Sequence, residues 1–287
     1  MDLGIEKAAR LDPEMRRRKF LGGGVAAGFA LAVQPVAAQT VITTDTAGLS
    51  AGMVEVPTKD GTVPAYRARP EANASAPVIL VVQEIFGVHE HIKDICRRLA
   101  KLGYYAIAPD LYFRQGDATK ISDIGALVKD IVAKVPDAQV MADLDSAAGF
   151  AKSEGAAADR LAITGFCWGG RIVWLYCEHS RAVKAGVAWY GKLVGATDPL
   201  HPKNPIDLVA SLNCPVLGLY GGADTGIPPA TTDEMKQAAD AAGKNTEFVV
   251  YPDTPHAFNA DYRPSYREGP AKDGWSRMQK WFKENGV

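Results

Sequence analysis

Nothing in this 287-residue sequence leaves less freedom than the run Pro77-Val78-Ile79-Leu80-Val81-Val82, apolar and largely β-branched throughout. A strand with no polar face cannot lie against water, so it belongs in the middle of a sheet covered on both sides. Segments that alternate in period come after it. Residues 89–102 place Ile92, Ile95, Cys96, Leu99 and Leu102 at helical spacing and stop at Gly103. A strand at 104–108 comes next, then helical stretches at 121–133 and 137–152 and a strand at 160–164. The pattern continues with a helix at 171–178, strands at 183–189 and 215–220, a helix at 228–242, a strand at 247–251 and a closing helix at 271–284. Ahead of the apolar run, residues 53–57 and 63–68 flank Lys59-Asp60-Gly61 as a hairpin, and 40–50 form a polar lead-in of no clear structure. Strands separated by helices predict an α/β domain with a mainly parallel central sheet and helices on both faces. No internal repeat or low-complexity linker divides it, so one domain is expected over 39–287.

The first 38 residues read differently. Arg16, Arg17, Arg18 and Lys19 precede Phe20 and an uncharged run at 21–33, and Val36-Ala37-Ala38 offers a small-residue cleavage site. That is the layout of an export signal, and paired arginines before x-Phe-Leu resemble the twin-arginine type. The apolar run is short for a membrane span. The expectation is a signal peptide at 1–38, transient engagement of the twin-arginine export machinery, a periplasmic mature protein and no stable membrane association after cleavage. An uncleaved anchor is the alternative.

Charge narrows the partners. Lys plus Arg number 32 against 33 Asp plus Glu, a net charge of −1, which provides no broad positive field for nucleic acid. The cysteines Cys96, Cys167, Cys177 and Cys214 show neither a disulfide framework nor metal-ligand spacing. Three of them sit in apolar contexts as small core residues; Cys167 stands apart.

Gly165-Phe166-Cys167-Trp168-Gly169 places a nucleophile between glycines, directly after a strand and directly before a helix. A turn that tight lifts the side chain off the sheet and aims a helix N-terminus at it, which favours a thiolate. Asp224 follows the strand at 215–220, and His256 follows the strand at 247–251. Nucleophile, acid, histidine is the chain order of α/β-hydrolases, and both loops fall at strand ends beside the elbow. In that reading His256 draws the proton from Cys167, and Asp224 orients the imidazole. Gln83-Glu84-Ile85-Phe86-Gly87 follows the central strand, where a loop supplies an oxyanion donor; the backbone N–H groups of Ile85 and Trp168 are the candidates.

Taken together, Gln-Glu-Ile-Phe-Gly at 83–87, Asp-Leu-Tyr-x-Arg at 110–114, Gly-Phe-Cys-Trp-Gly-Gly at 165–170, Tyr-Gly at 190–191 and His-x-Phe at 256–258 resemble the dienelactone hydrolase family. The resemblance spans most of the mature chain. It implies the α/β-hydrolase fold and a Cys167–His256–Asp224 triad that opens a lactone. It also implies that Glu84 pairs with the resting thiol, that Arg114 binds a substrate carboxylate with its planar fork, and that Tyr190 lines the pocket. Ala260 stands where the family has a second arginine, with Arg263 the candidate replacement from a longer loop. Loss of one charge-assisted contact would weaken substrate binding by about 1.5–3 kcal/mol.

The expected ligand is therefore a small ester or lactone, with or without a carboxylate, and the chemistry requires no metal or organic cofactor. A general carboxylesterase or thioesterase on the same residues is the nearest rival. A periplasmic ligand-binding protein without turnover and a thiol redox protein are more distant ones; the latter lacks a Cys-x-x-Cys pair.

Overall fold

The computed structural model describes residues 43–287, so the expected export signal lies outside the described residues. Eight strands form a single sheet in the order β1-β2-β4-β3-β5-β6-β7-β8. β1 (Leu49–Thr58) and β2 (Gly61–Pro70) are the expected hairpin, closed by pairing Thr58 with Gly61. The hairpin starts earlier than its apolar core suggested, because Leu49 and Ser50 already pair with Pro70 and Arg69. β2 joins β4 (Tyr105–Pro109) antiparallel. From β4 onward the sheet is parallel through β3 (Pro77–Val82), β5 (Ala157–Phe166), β6 (Val183–Trp189), β7 (Val216–Gly221) and β8 (Thr246–Tyr251).

The apolar run occupies the centre. Val78, Ile79, Leu80, Val81 and Val82 are all 0% exposed, the burial that a strand covered on both faces requires. The outermost strand, β8, keeps mostly half-buried residues. Helix α1 (Glu90–Lys101) turns Ile92, Ile95, Cys96 and Leu99 inward as its period predicts. It also buries Asp94, which periodicity could not announce; Arg97 at 3.1 Å and Arg98 at 2.6 Å satisfy that carboxylate.

The stretch at 121–133 is not one helix. Asp123 caps α2 (Ile124–Asp130) by accepting the Ala126 N–H at 2.6 Å, and Ile131, at φ −119° and ψ −69°, ends it before a 3₁₀ turn at Val132–Lys134. α3 (Asp137–Ser153), α4 (Trp168–His179), α5 (Pro229–Ala241) and α6 (Glu268–Glu284) complete the helical layers. Among the described residues no helix is long and apolar enough to cross a membrane.

Parallel strands point their carboxyl ends the same way, so the loops after β3, β5, β6, β7 and β8 gather along one rim. Open α/β sheets bind ligands along such rims.

Candidate active site

β5 passes the chain to α4 through one residue. Cys167 adopts φ 59° and ψ −114°, a conformation that costs a non-glycine residue about 1–3 kcal/mol and persists only where its surroundings enforce it. Close packing does so here. A Cβ on Gly165 would lie 2.5 Å from the Gly169 carbonyl oxygen, and one on Gly169 would lie 2.5 Å from the Val82 and Gln83 carbonyls. The Cys167 N–H donates to the Trp189 carbonyl at 3.0 Å, pinning the turn to β6. The side chain emerges 3% exposed at the head of α4.

β7 and β8 deliver the two partners. The Asp224 carboxylate is fixed from one side by the backbone N–H groups of Gly226 at 2.8 Å and Ile227 at 3.1 Å. Its other oxygen faces His256 Nδ1 at 2.6 Å. Both side chains are buried. Burial opposes a charge on the imidazole, but the Cys167 sulfur and the Asp224 carboxylate outweigh it and raise the His256 pKa to about 10. Tyr190 packs edge-on against the imidazole, ring centroids 5.0 Å apart. The structure thus brings Cys167, His256 and Asp224 together from three distant stretches.

Glu84 is placed differently from its expected pairing with the resting thiol. Its buried carboxylate accepts from the Tyr262 hydroxyl at 2.9 Å, lies 3.2 Å from His89 Nε2, and has Arg263 Nη2 at 3.7 Å. Burial works against its charge, yet Arg263 and His89 prevail and hold the carboxyl well below the usual carboxylate range. Cys167 is paired with His256 instead.

The two candidate carboxylate-binding arginines already meet carboxylates of the protein. Arg263 is enclosed, donates through Nε to the Tyr262 hydroxyl at 2.8 Å and stacks on the Phe86 ring at 4.7 Å. It completes the Glu84 cluster, and its charge also acts on the Cys167 sulfur. Arg114 makes charge-assisted bonds to Asp143 at 2.7 and 3.1 Å and to Asp60 at 2.6 and 3.0 Å. It braces the β1–β2 turn against α3 and does not line the cavity above Cys167. Two carboxylates, one of them the buried Asp143, outcompete any transient ligand for this guanidinium.

The cavity over Cys167 has a volume of about 430 Å³ and opens to solvent. Ile85 and Trp168, the expected oxyanion donors, line it together with Tyr190. α2 supplies Ile124 and Val128 as a further apolar wall. His89, Tyr262, Arg171 and Lys192 escaped the sequence reading as neighbours of the site. Lys192 had a usable signal, since it sits two residues beyond Tyr190 in a loop at a parallel strand's carboxyl end. His89 and Tyr262 had none, because Glu84 gathers them from 5 and 178 residues away.

A sharp strand–cysteine–helix turn at the carboxyl rim of a mostly parallel sheet, with an acid and a histidine from the last two strands, is the arrangement of an α/β-hydrolase. The chain belongs to the dienelactone hydrolase family, whose model matches residues 63–286. A relative from Methylorubrum extorquens named "Putative carboxymethylenebutenolidase" is 64% identical, covering 95% of this chain and 94% of its own. One of the same name from Salmonella typhimurium is 58% identical over 90% of this chain and 96% of its own. A crystal structure of a "Putative Dienelactone Hydrolase" from Klebsiella pneumoniae superposes with a TM-score of 0.81 at 57% identity, covering 82% of this chain and 99% of that one.

Proposed function

We propose that this chain hydrolyses a small ester or lactone through Cys167, His256 and Asp224, by way of an acyl-thioester. The observation that carries the reading is the Asp224 carboxylate 2.6 Å from a buried imidazole on which the Cys167 sulfur, at the head of α4, also acts. His256 takes the thiol proton, and the sulfur attacks the carbonyl carbon. The oxyanion is met by the Ile85 and Trp168 N–H groups, one from the loop after the central strand and one from the head of the elbow helix. The tetrahedral intermediate collapses, the C–O bond to the alcohol breaks, and His256 returns its proton to the departing oxygen. A water molecule, deprotonated by His256, then attacks the thioester carbonyl; the C–S bond breaks, His256 returns the proton to the departing sulfur and the acid leaves. In a lactone the alcohol stays attached, so both steps act on a single molecule. The names of the family relatives, carboxymethylenebutenolidase and dienelactone hydrolase, agree with a lactone or ester substrate.

The test is Cys167→Ala, expected to lower kcat/KM for an activated ester by about 10⁴-fold or more. Rapid quenching of the native enzyme should trap an acyl group on residue 167 by mass spectrometry. Full turnover in the variant would refute the mechanism. The export role of residues 1–38 is likewise a proposal, resting on the paired arginines and the apolar run alone. Fractionating cells that express the full chain, with Arg16, Arg17 and Arg18 intact or replaced by lysine, tests it; a protein that reaches the periplasm equally well in both forms would refute the twin-arginine route.

A further inference from the structure

We propose that Cys177 and Cys214 form an oxidation site, at which a low-molecular-weight disulfide such as oxidised glutathione closes a disulfide between the end of α4 and the start of β7. The site stands apart from the residues proposed for hydrolysis. Cys177 follows Cys167 by ten residues, about 15 Å along the helix axis.

Spacing along the chain gives no hint of this pair; the fold brackets it from two sides. The Cys177 carbonyl accepts the Asn213 N–H at 2.9 Å, and the Glu178 carbonyl accepts the Asn213 side-chain amide at 2.8 Å. On the other side, the Cys177 sulfur rests on Gly186 of β6, where an added Cβ would lie 2.5 Å from Sγ. The Gly186 N–H donates to the Pro215 carbonyl at 3.0 Å, and Gly186 pairs with Val216 of β7. Cys214 thus lies between Asn213, which holds Cys177, and Pro215, which holds the glycine beneath its sulfur. The two thiols are within hydrogen-bonding reach of each other. With the backbone tied at both flanks, closure turns on rotation of the two side chains.

Access decides the order of events. Cys177 is 0% exposed, and burial together with the neighbouring thiol pushes its pKa well up, so it does not begin the exchange. Cys214 is half-buried and meets the oxidant. Its thiolate attacks one sulfur of the external disulfide; that S–S bond breaks, and the first thiolate leaves with the proton Cys214 gave up. Cys177 then loses its proton and attacks the Cys214 sulfur of the mixed disulfide, releasing the second external thiol. The two cysteines give up two electrons, and the external disulfide becomes two thiols. The new bond closes a loop of roughly 40 residues, which restricts the unfolded chain.

The experiment incubates the folded full chain with oxidised glutathione, blocks remaining thiols under denaturing conditions and digests with trypsin. Cys177 falls in the peptide 172–181 and Cys214 in 204–236, each without another cysteine. The expected product is these two peptides joined and lighter by two hydrogens than their sum. Oxidation should also raise the urea midpoint by about 1 M, a rise reversed by dithiothreitol and lost in Cys214→Ala. Cys177→Ala should stop at glutathione on Cys214. In the native chain, glutathione on Cys214 beside a free Cys177, or two free thiols after oxidation, overturns the proposal. Neither result bears on hydrolysis at Cys167, which is read separately by ester turnover.

Discussion

Two buried carboxylates serve the rim of this sheet, and their partners set them apart. Asp224 spends one oxygen on backbone N–H groups and the other on the imidazole that reaches the thiol. Glu84 is surrounded by a phenol, an imidazole and a guanidinium, so its charge is consumed within its own cluster. Both are nearly inaccessible. Burial therefore does not mark the carboxylate proposed for catalysis; the group at the far end of its hydrogen bonds does. Asp224 holds the imidazole on which the Cys167 sulfur acts, the arrangement proposed above for proton exchange, whereas Glu84 lies against Arg263 and ties the 83–89 loop to the segment after His256.

The sharpest way to break this contrast is Asp224→Asn. An amide offers an N–H to Nδ1 and favours the wrong tautomer, so kcat should fall about 10²- to 10⁴-fold with the fold preserved. A loss below about tenfold in ester hydrolysis would put Asp224 on the same structural footing as Glu84. Next in size is Glu84→Gln. Leaving the enclosed Arg263 without its counter-charge should cost about 3–5 kcal/mol of stability, read as a lower urea midpoint. If stability holds and activity collapses instead, Glu84 acts on the thiol and the contrast fails. The smallest effect is expected from Arg114→Ala. It strips the buried Asp143 of its partner and should cost about 1–3 kcal/mol in the same unfolding assay. The rate ratio between anionic and neutral esters should not change, because Arg114 lies away from the cavity; a selective loss of the anionic ester would return it to the substrate site.

Much of the site was legible because local rules govern it. The elbow at 165–169 is a short-range pattern in which backbone crowding dictates glycine on either side of the nucleophile and leaves the chain pointed into a helix. The loops bearing Asp224 and His256 could be placed because both come after strands whose composition declares them. The partners of Arg114 and Arg263 were not legible. A guanidinium binds whichever carboxylate folding brings nearest. Asp60 and Asp143 lie 54 and 29 residues from Arg114 in the chain, and Glu84 reaches Arg263 from the opposite end of the domain. Ranges also shifted where tertiary contacts lengthened β5 or divided the stretch at 121–133.

Residue type and spacing over a few neighbours were thus enough to specify the layering, the central place of the run at 77–82, the elbow and the order in which its partners arrive. Which charges meet was settled only when the chain folded. Arg114 meets Asp143 and Arg263 meets Glu84, each from a distant stretch of the chain. The physical reason is that Coulombic pairing depends on distance in space, and only folding sets the distance between residues far apart in the chain.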